Sequence, residues 1–164
     1  MIRKFKNILS VMNKNWSIIF VLTYLLFFLG ADIFFGYHML YGSLFPNKNY
    51  DILFQCVCIG GIGGILYCLR GTYLNFCVNK NWDNDWTVWY IVRPIVSLVS
   101  GGASCLFLKA GLLVLEAEKE ASASNLGFYA LAFIAGLNVD KFIAKIEELA
   151  KATWGIEKSR SADR

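Results

Sequence analysis

Proline occurs only twice in the 164 residues, histidine once, and Asp, Glu, Lys and Arg together supply just 17% of the chain. Soluble domains carry about 25% charged residues. A chain this short with so little charge cannot present a water-compatible surface, which excludes an ordinary cytosolic enzyme and a disordered tail. The single histidine, His38, excludes a Cys/His zinc centre. The five cysteines (Cys56, Cys58, Cys68, Cys77 and Cys105) form no CxxC pair, and four lie in apolar runs. That pattern excludes a disulfide-stapled secreted domain and suits small, polarizable helix-packing residues. No Ser/His/Asp set and no pair of carboxylates on one helix face occurs. The glycine cluster Gly60–Gly64 follows no strand and precedes no Lys-Ser/Thr, so it is not a phosphate loop. Asp83 and Asp85 stand in an Asn- and Trp-rich stretch that suits turn chemistry better than metal binding. The expectation is a protein without catalytic residues, metal or cofactor.

What the chain has is apolar length. Hydrophobic residues make up 57%. The run from Ser17 to Tyr41 is about twice as long as the apolar core of a signal peptide, so it reads as a retained first span behind the basic residues Arg3, Lys4, Lys6 and Lys14. Pro46 with Asn47 and Asn49 marks a turn. A second span begins near Ile52, stays apolar to Leu69 and continues past Arg70 to Val78, and Asn79–Asp85 is a polar connection. A third span runs from about Trp89 to Leu115, with Pro94 expected in its first helical turn, where a missing N–H costs little. Leu126–Val139 is a fourth segment, about 21 Å at helical rise and short of the roughly 30 Å hydrocarbon core. It crosses only if Phe142 and Ile143 also lie in the membrane. A re-entrant or interfacial helix is the alternative.

The expected fold is therefore all-α: a polytopic membrane protein with four transmembrane helices, the fourth short, plus a cytoplasmic amphipathic C-terminal helix. Residues 1–16 form a basic N-terminus, 17–138 the bundle, and 139–164 the amphipathic helix and polar tail. Lys and Arg concentrate on one side: the N-terminus, Arg70, Lys80, Arg93 and the cations from Lys141 to Arg164, against Lys48 and Lys119 on the other, with Lys109 near the end of span three. This places both termini in the cytoplasm of an inner (plasma) membrane. Trp16, Trp86 and Trp89 fall near the inner boundary with Arg93, which reads as an anchor on lipid phosphate. The net charge of +4 then reflects orientation, not nucleic acid.

Small residues at four-residue spacing mark packing seams: Gly60 and Gly64; Ser97, Gly101 and Cys105; Ala132 and Gly136. Two charges fall inside apolar runs. Asp32 lies about 22 Å beyond Ser17 and Lys109 about 26 Å beyond Val92, similar depths on spans running in the same direction. An ion pair fixing helix register, independent snorkelling, and a proton or ion pathway all fit. In the tail, Val139, Phe142, Ile146 and Leu149 recur at 3–4 spacing, either an oligomerisation seam or an amphipathic helix on the bilayer.

The stretches WYIVRPIVSLVSGGASCLFLKAGLLVL and SNLGFYALAFIAGLNVDKFIAKIEELA, residues 89–151 in outline, resemble a C-terminal two-helix module of bacterial membrane proteins. The matching features are Arg93-Pro94, the Gly101 region, Ala110-Gly111-Leu112-Leu113, Asn125, Gly127, Ala135-Gly136 and the charged amphipathic helix that follows. The resemblance implies a bacterial membrane unit of the kind often joined to a cytoplasmic signalling domain. Three functions follow as expectations. The first is an oligomeric channel or membrane-perturbing effector, by likeness of form to anti-phage effectors, with Ser97, Ser100, Ser104 and Lys109 as a polar file. The second is an anchor or adaptor recruiting a cytoplasmic partner through the tail and the 79–85 loop. The third is a small-solute transporter. The bilayer and further copies of the chain are the other expected partners.

Overall fold

A computed structural model describes residues 2–42, 48–111 and 125–156. Every regular element among them is helical: α1 (Ile2–Tyr41), α2 (Lys48–Tyr73) continued by a π-helical turn (Leu74–Val78), α3 (Trp86–Lys109), α4 (Leu126–Leu137) and α5 (Val139–Trp154). Three stretches are long and apolar enough to cross a membrane: Trp16–His38, Tyr50–Val78 and Trp86–Lys109. The bent pair α4–α5 makes a fourth if it is one span. The chain is all-helical among the described residues, with three to four segments apolar enough to span a membrane, consistent with a membrane protein. The expected turn at Pro46 and Asn47, the expected end of span three at 112–115 and the loop beyond it with Lys119 lie outside the described residues, as does the polar tail from 157 onward.

Each helix ends for a local reason. In the π-helical turn, the N–H of Asn79 reaches back five residues to Leu74 O (2.8 Å). Lys80 then takes a left-handed backbone (φ 52°), which stops the helix. Gly111 (φ 71°) closes α3 at Lys109, six residues before the expected end at Leu115. At Asn138 (φ −123°, ψ 57°) the backbone leaves helical space, and α5 departs from α4 at 110°. Asn138 serves both sides of the break. Its N–H closes α4 on Ile134 O (2.9 Å), and its C=O accepts the first bond of α5 from Phe142 N–H (2.9 Å). A straight continuation of the fourth helix through Phe142 and Ile143 is therefore not formed. Gly155 (φ 69°) terminates α5 in the same manner as Gly111.

Pro94 is not in the first turn of α3, because the helix begins earlier, at Trp86. Inside a helix it removes the donor for the Tyr90 carbonyl and loosens the neighbouring bonds. The hydroxyl of Tyr24 on α1 donates to the adjacent carbonyl, Ile91 O (3.1 Å), and ties the loosened stretch to α1. Near the start of both crossing segments Ser17 and Thr87 share a hydroxyl hydrogen bond (2.7 Å). Ile18, Val21 and Leu25 of α1 bury against Ile65 and Cys68 of α2 and Tyr90 of α3. The aromatics on the outside of α1, such as Phe27 (74% exposed) and Phe34 (62%), face away from the bundle, as lipid-facing side chains do.

Candidate functional site

The three seams expected from small-residue spacing meet at one node. Gly60 and Gly64 of α2, Ser97 and Gly101 of α3 and Gly136 of α4 bring their backbones into direct contact. A methyl group on Gly60 would lie 2.6 Å from Gly101 Cα, and one on Gly136 would collide with Gly60 O. Ser97 completes the node. Its hydroxyl lies 2.9 Å from Arg93 O and 3.0 Å from Gly136 O, so one proton serves a carbonyl of its own helix and one of α4. Cys105 and Ala132 belong to a second contact with Cys56, fully buried about one turn toward the C-terminal end of α3. Dispersion between close backbones supplies what the hydrophobic effect cannot supply in lipid. Ser100 and Ser104 also bond carbonyls of their own helix, Val96 O (2.9 Å) and Gly101 O (2.7 Å). The serines expected to line a pore are thus spent on packing within one chain.

Arg93 does not reach out to lipid phosphate. It is 6% exposed and turned into the protein. Its guanidinium bonds Asp140 Oδ2 at 2.9 Å and lies over the rings of Tyr67 (5.1 Å) and Trp89 (5.5 Å). The cause is the turn at Asn138, which swings the first residues of α5 back to α3. Two aromatic faces and one carboxylate then hold the cation better than a long reach to the headgroups. Val139, next to Asp140, is 1% exposed, and it shares a small recess with Trp89, Val96 and Ile143. It is therefore taken up within the chain and is not available to an inter-subunit seam. Phe142, Ile146 and Leu149 remain half-buried along one side of α5, with Lys141, Lys145, Glu148 and Lys151 exposed. Trp16 (70% exposed) and Trp89 (42%) are open, Trp86 is half-buried, and Trp82 of the 79–85 connection is buried and stacked on Tyr90 at 5.3 Å.

The expected pair Asp32–Lys109 is not formed. Asp32 Oδ2 rests on the bare Cα of Gly61, beside Leu98 of α3, and has no hydrogen-bond partner. Leu98 precedes Lys109 by about 16 Å of helix rise, and Lys109 is exposed at the last residue of α3. The helices sit in another register than equal depth of Asp32 and Lys109 requires, because Thr87 and not Val92 stands opposite Ser17. Asp32 is consequently nearer the middle of the bundle than the Lys109 end of α3, among the residues around a cavity of about 350 Å³ that includes Gln55 and Tyr129. A second cavity, of about 460 Å³, opens between the π-helical turn and α3, with Arg70, Asn75, Asp85 and Trp86 on its wall. Sequence reasoning found Asp32 and Arg93 but not Asp140 or Gln55. The only signal for Asp140 was its place just after the Asn138 break.

Comparison of this chain with known protein families, with curated proteins and with solved structures gave no match.

Proposed function

We propose that this chain is a non-enzymatic bacterial inner-membrane protein with four crossings and both termini in the cytoplasm, and that it acts as a membrane anchor or adaptor recruiting a partner through α5. The observation that carries this reading is the Arg93–Asp140 bridge across the Asn138 turn. Contacts along α4 support a fourth crossing despite its 12 residues. Tyr129 bonds Gln55 near the outer end of α2, Gly136 meets Gly60 at its middle, and Asp140 meets the Arg93–Tyr67 contact near its inner end. The short helix thus follows most of the Ile52–Leu69 run, and α5 leaves sideways at the inner interface. An amphipathic helix there keeps Phe142, Ile146 and Leu149 toward the acyl boundary and its charges toward the cytosol.

Topology is tested by reporter fusions. Fusions after residues 48 and 119 are expected to read extracytoplasmic, and those at either terminus cytoplasmic. A C-terminal reporter outside the cell makes α4 re-entrant and removes the reading. The adaptor role is tested by cross-linking in cells from residues on the charged face of α5. A cytoplasmic protein captured from Lys145 but not from the outer ends of the spans is the expected result. Cross-links to lipid or to no protein would count against it.

One observation favours a second reading, the oligomeric channel or membrane-perturbing effector. A buried carboxyl without a hydrogen-bond partner in a span is costly unless it has a use. Expression followed by a voltage-sensitive dye separates the two. Depolarisation that Asp32→Asn abolishes would replace the adaptor with the effector.

A further inference from the structure

The larger cavity, about 460 Å³ between the π-helical turn and α3, falls within the size range of small-molecule pockets. Its wall comes from the end of the Tyr50–Val78 stretch and the start of Trp86–Lys109, so in a bilayer it stands at the level of the headgroups. Two opposite charges share that wall: Arg70 from the last turn of α2, and Asp85 immediately before α3. Both are exposed, and neither joins an ion pair among the described residues, with the other or elsewhere. Asp85 occupies the N-cap of α3, where an aspartate ordinarily accepts a hydrogen bond from the first turn, yet its side chain makes no cap bond. Its carboxylate is therefore not spent on its own helix. Asn75 is fixed on the wall by donating to the Tyr90 hydroxyl (3.1 Å), and Leu74 and Trp86 add apolar surface.

We infer that this cavity binds the zwitterionic headgroup of a phospholipid, with the phosphate at Arg70 and the headgroup ammonium at Asp85. A guanidinium donates to two phosphate oxygens at once, which makes it the side chain best matched to that group. A ligand of one sign fits poorly. An anion alone would meet the Asp85 carboxylate, and a cation alone, a metal ion included, would meet Arg70. The ring of Trp86 adds a face that attracts an ammonium. A free amino acid also carries both charges. The lipid is favoured because the cavity stands where one span ends and the next begins, in the layer where headgroups are concentrated. The inference rests on the chain crossing a bilayer, and not on α5 or on which terminus is cytoplasmic.

The test uses the full chain in detergent micelles, with bound lipid counted by native mass spectrometry. Dioleoylphosphatidylethanolamine is the probe. Dioleoylphosphatidylglycerol, which keeps the phosphate and lacks the ammonium, is its counterpart. One ethanolamine lipid per chain is expected to bind about fivefold tighter than the glycerol lipid, the upper end for an exposed ion pair. Asp85→Asn should bring the two lipids to equal affinity, and Arg70→Gln should weaken both by a similar factor. Lys80 is an exposed cation at the same end of the bundle but off the cavity wall, so Lys80→Gln should change neither. Equal binding of the two lipids by wild type overturns the inference, as does a preference that survives Asp85→Asn. A loss in Lys80→Gln as large as in Arg70→Gln would mean general attraction of anionic groups and also overturn it. Displacement of the lipid by an equal concentration of glycerophosphoethanolamine or leucine would put a soluble zwitterion in the cavity and overturn the lipid assignment. If Arg70→Gln fails to fold, the wild-type comparison and Asp85→Asn decide.

Discussion

Gly136→Val is expected to prevent the three-helix node from closing, with loss of the folded monomer in detergent. A side chain at position 136 points at the carbonyl of Gly60, and the two nearest further atoms, Gly60 C and Cα, are also backbone. Flexible side chains can rotate away from an added methyl group, but backbone in the middle of a helix cannot. Overpacking that neighbours can absorb costs about 1–3 kcal/mol. Here α4 must leave α2, which also separates Ser97 Oγ from Gly136 O. The cost is expected above about 3 kcal/mol, in the range reserved for broken cores. Gly60→Ala should be nearly as severe, since its methyl group would meet Gly101 Cα at 2.6 Å and Ser97 O at 2.7 Å. Gly30→Ala is the control, because its methyl group meets nothing within 4 Å and should change stability by no more than about 0.5 kcal/mol. Unfolding in mixed micelles, followed by the monomer peak in size-exclusion chromatography, separates these cases. A Gly136→Val protein as stable as wild type would show that α4 does not approach α2 at its backbone.

These glycines illustrate which parts of the fold were legible in the sequence. A seam of small residues is a statement about one helix, and spacing of four encodes it directly. Gly60, Gly64, Ser97, Gly101 and Gly136 could therefore be found without knowing their partners. The helical segments were legible for the same reason, since each is a run of apolar residues of measurable length. Quantities that relate one helix to another were not. The depth of Asp32 against Lys109 depends on which residue of α3 faces Ser17, and no local pattern fixes that register. Pro94 looks like a helix start when the apolar run is taken from about Trp89, whereas the helix begins at Trp86. Arg93 looked like a lipid anchor because its partner carboxylate, 47 positions away, reaches it only after the chain turns at Asn138. A break made by one asparagine's φ and ψ leaves only a weak signature in sequence, yet it decides where Val139, Asp140 and all of α5 go.

The second large effect is expected at that turn. Asp140→Asn should free α5 from the bundle, and the size of the loss follows from an asymmetry in the pair. The Arg93 side chain is 7% exposed and that of Asp140 is 79% exposed. Breaking a fully buried pair costs about 3–5 kcal/mol because a charge is left stranded. An exposed carboxylate is screened, and surface pairs contribute at most about 1 kcal/mol. The expected cost of Asp140→Asn lies between these limits, at about 1–3 kcal/mol, because the guanidinium keeps only the rings of Tyr67 and Trp89. Arg93→Met removes the buried charge together with its need for a partner, leaving Asp140 in contact with water. In that background Asp140→Asn should cost almost nothing, so a double-mutant cycle should return a coupling of about 1 kcal/mol or more. Release of α5 gives an independent reading, because trypsin should cut after Lys145 and Lys151 faster in Asp140→Asn than in wild type. Val139 limits the release: it is 1% exposed, so Val139→Ala combined with Asp140→Asn should open the helix further than either change alone. Additive single mutants with unchanged cleavage would mean that the bridge does not hold α5, and the adaptor reading would lose the contact on which it stands.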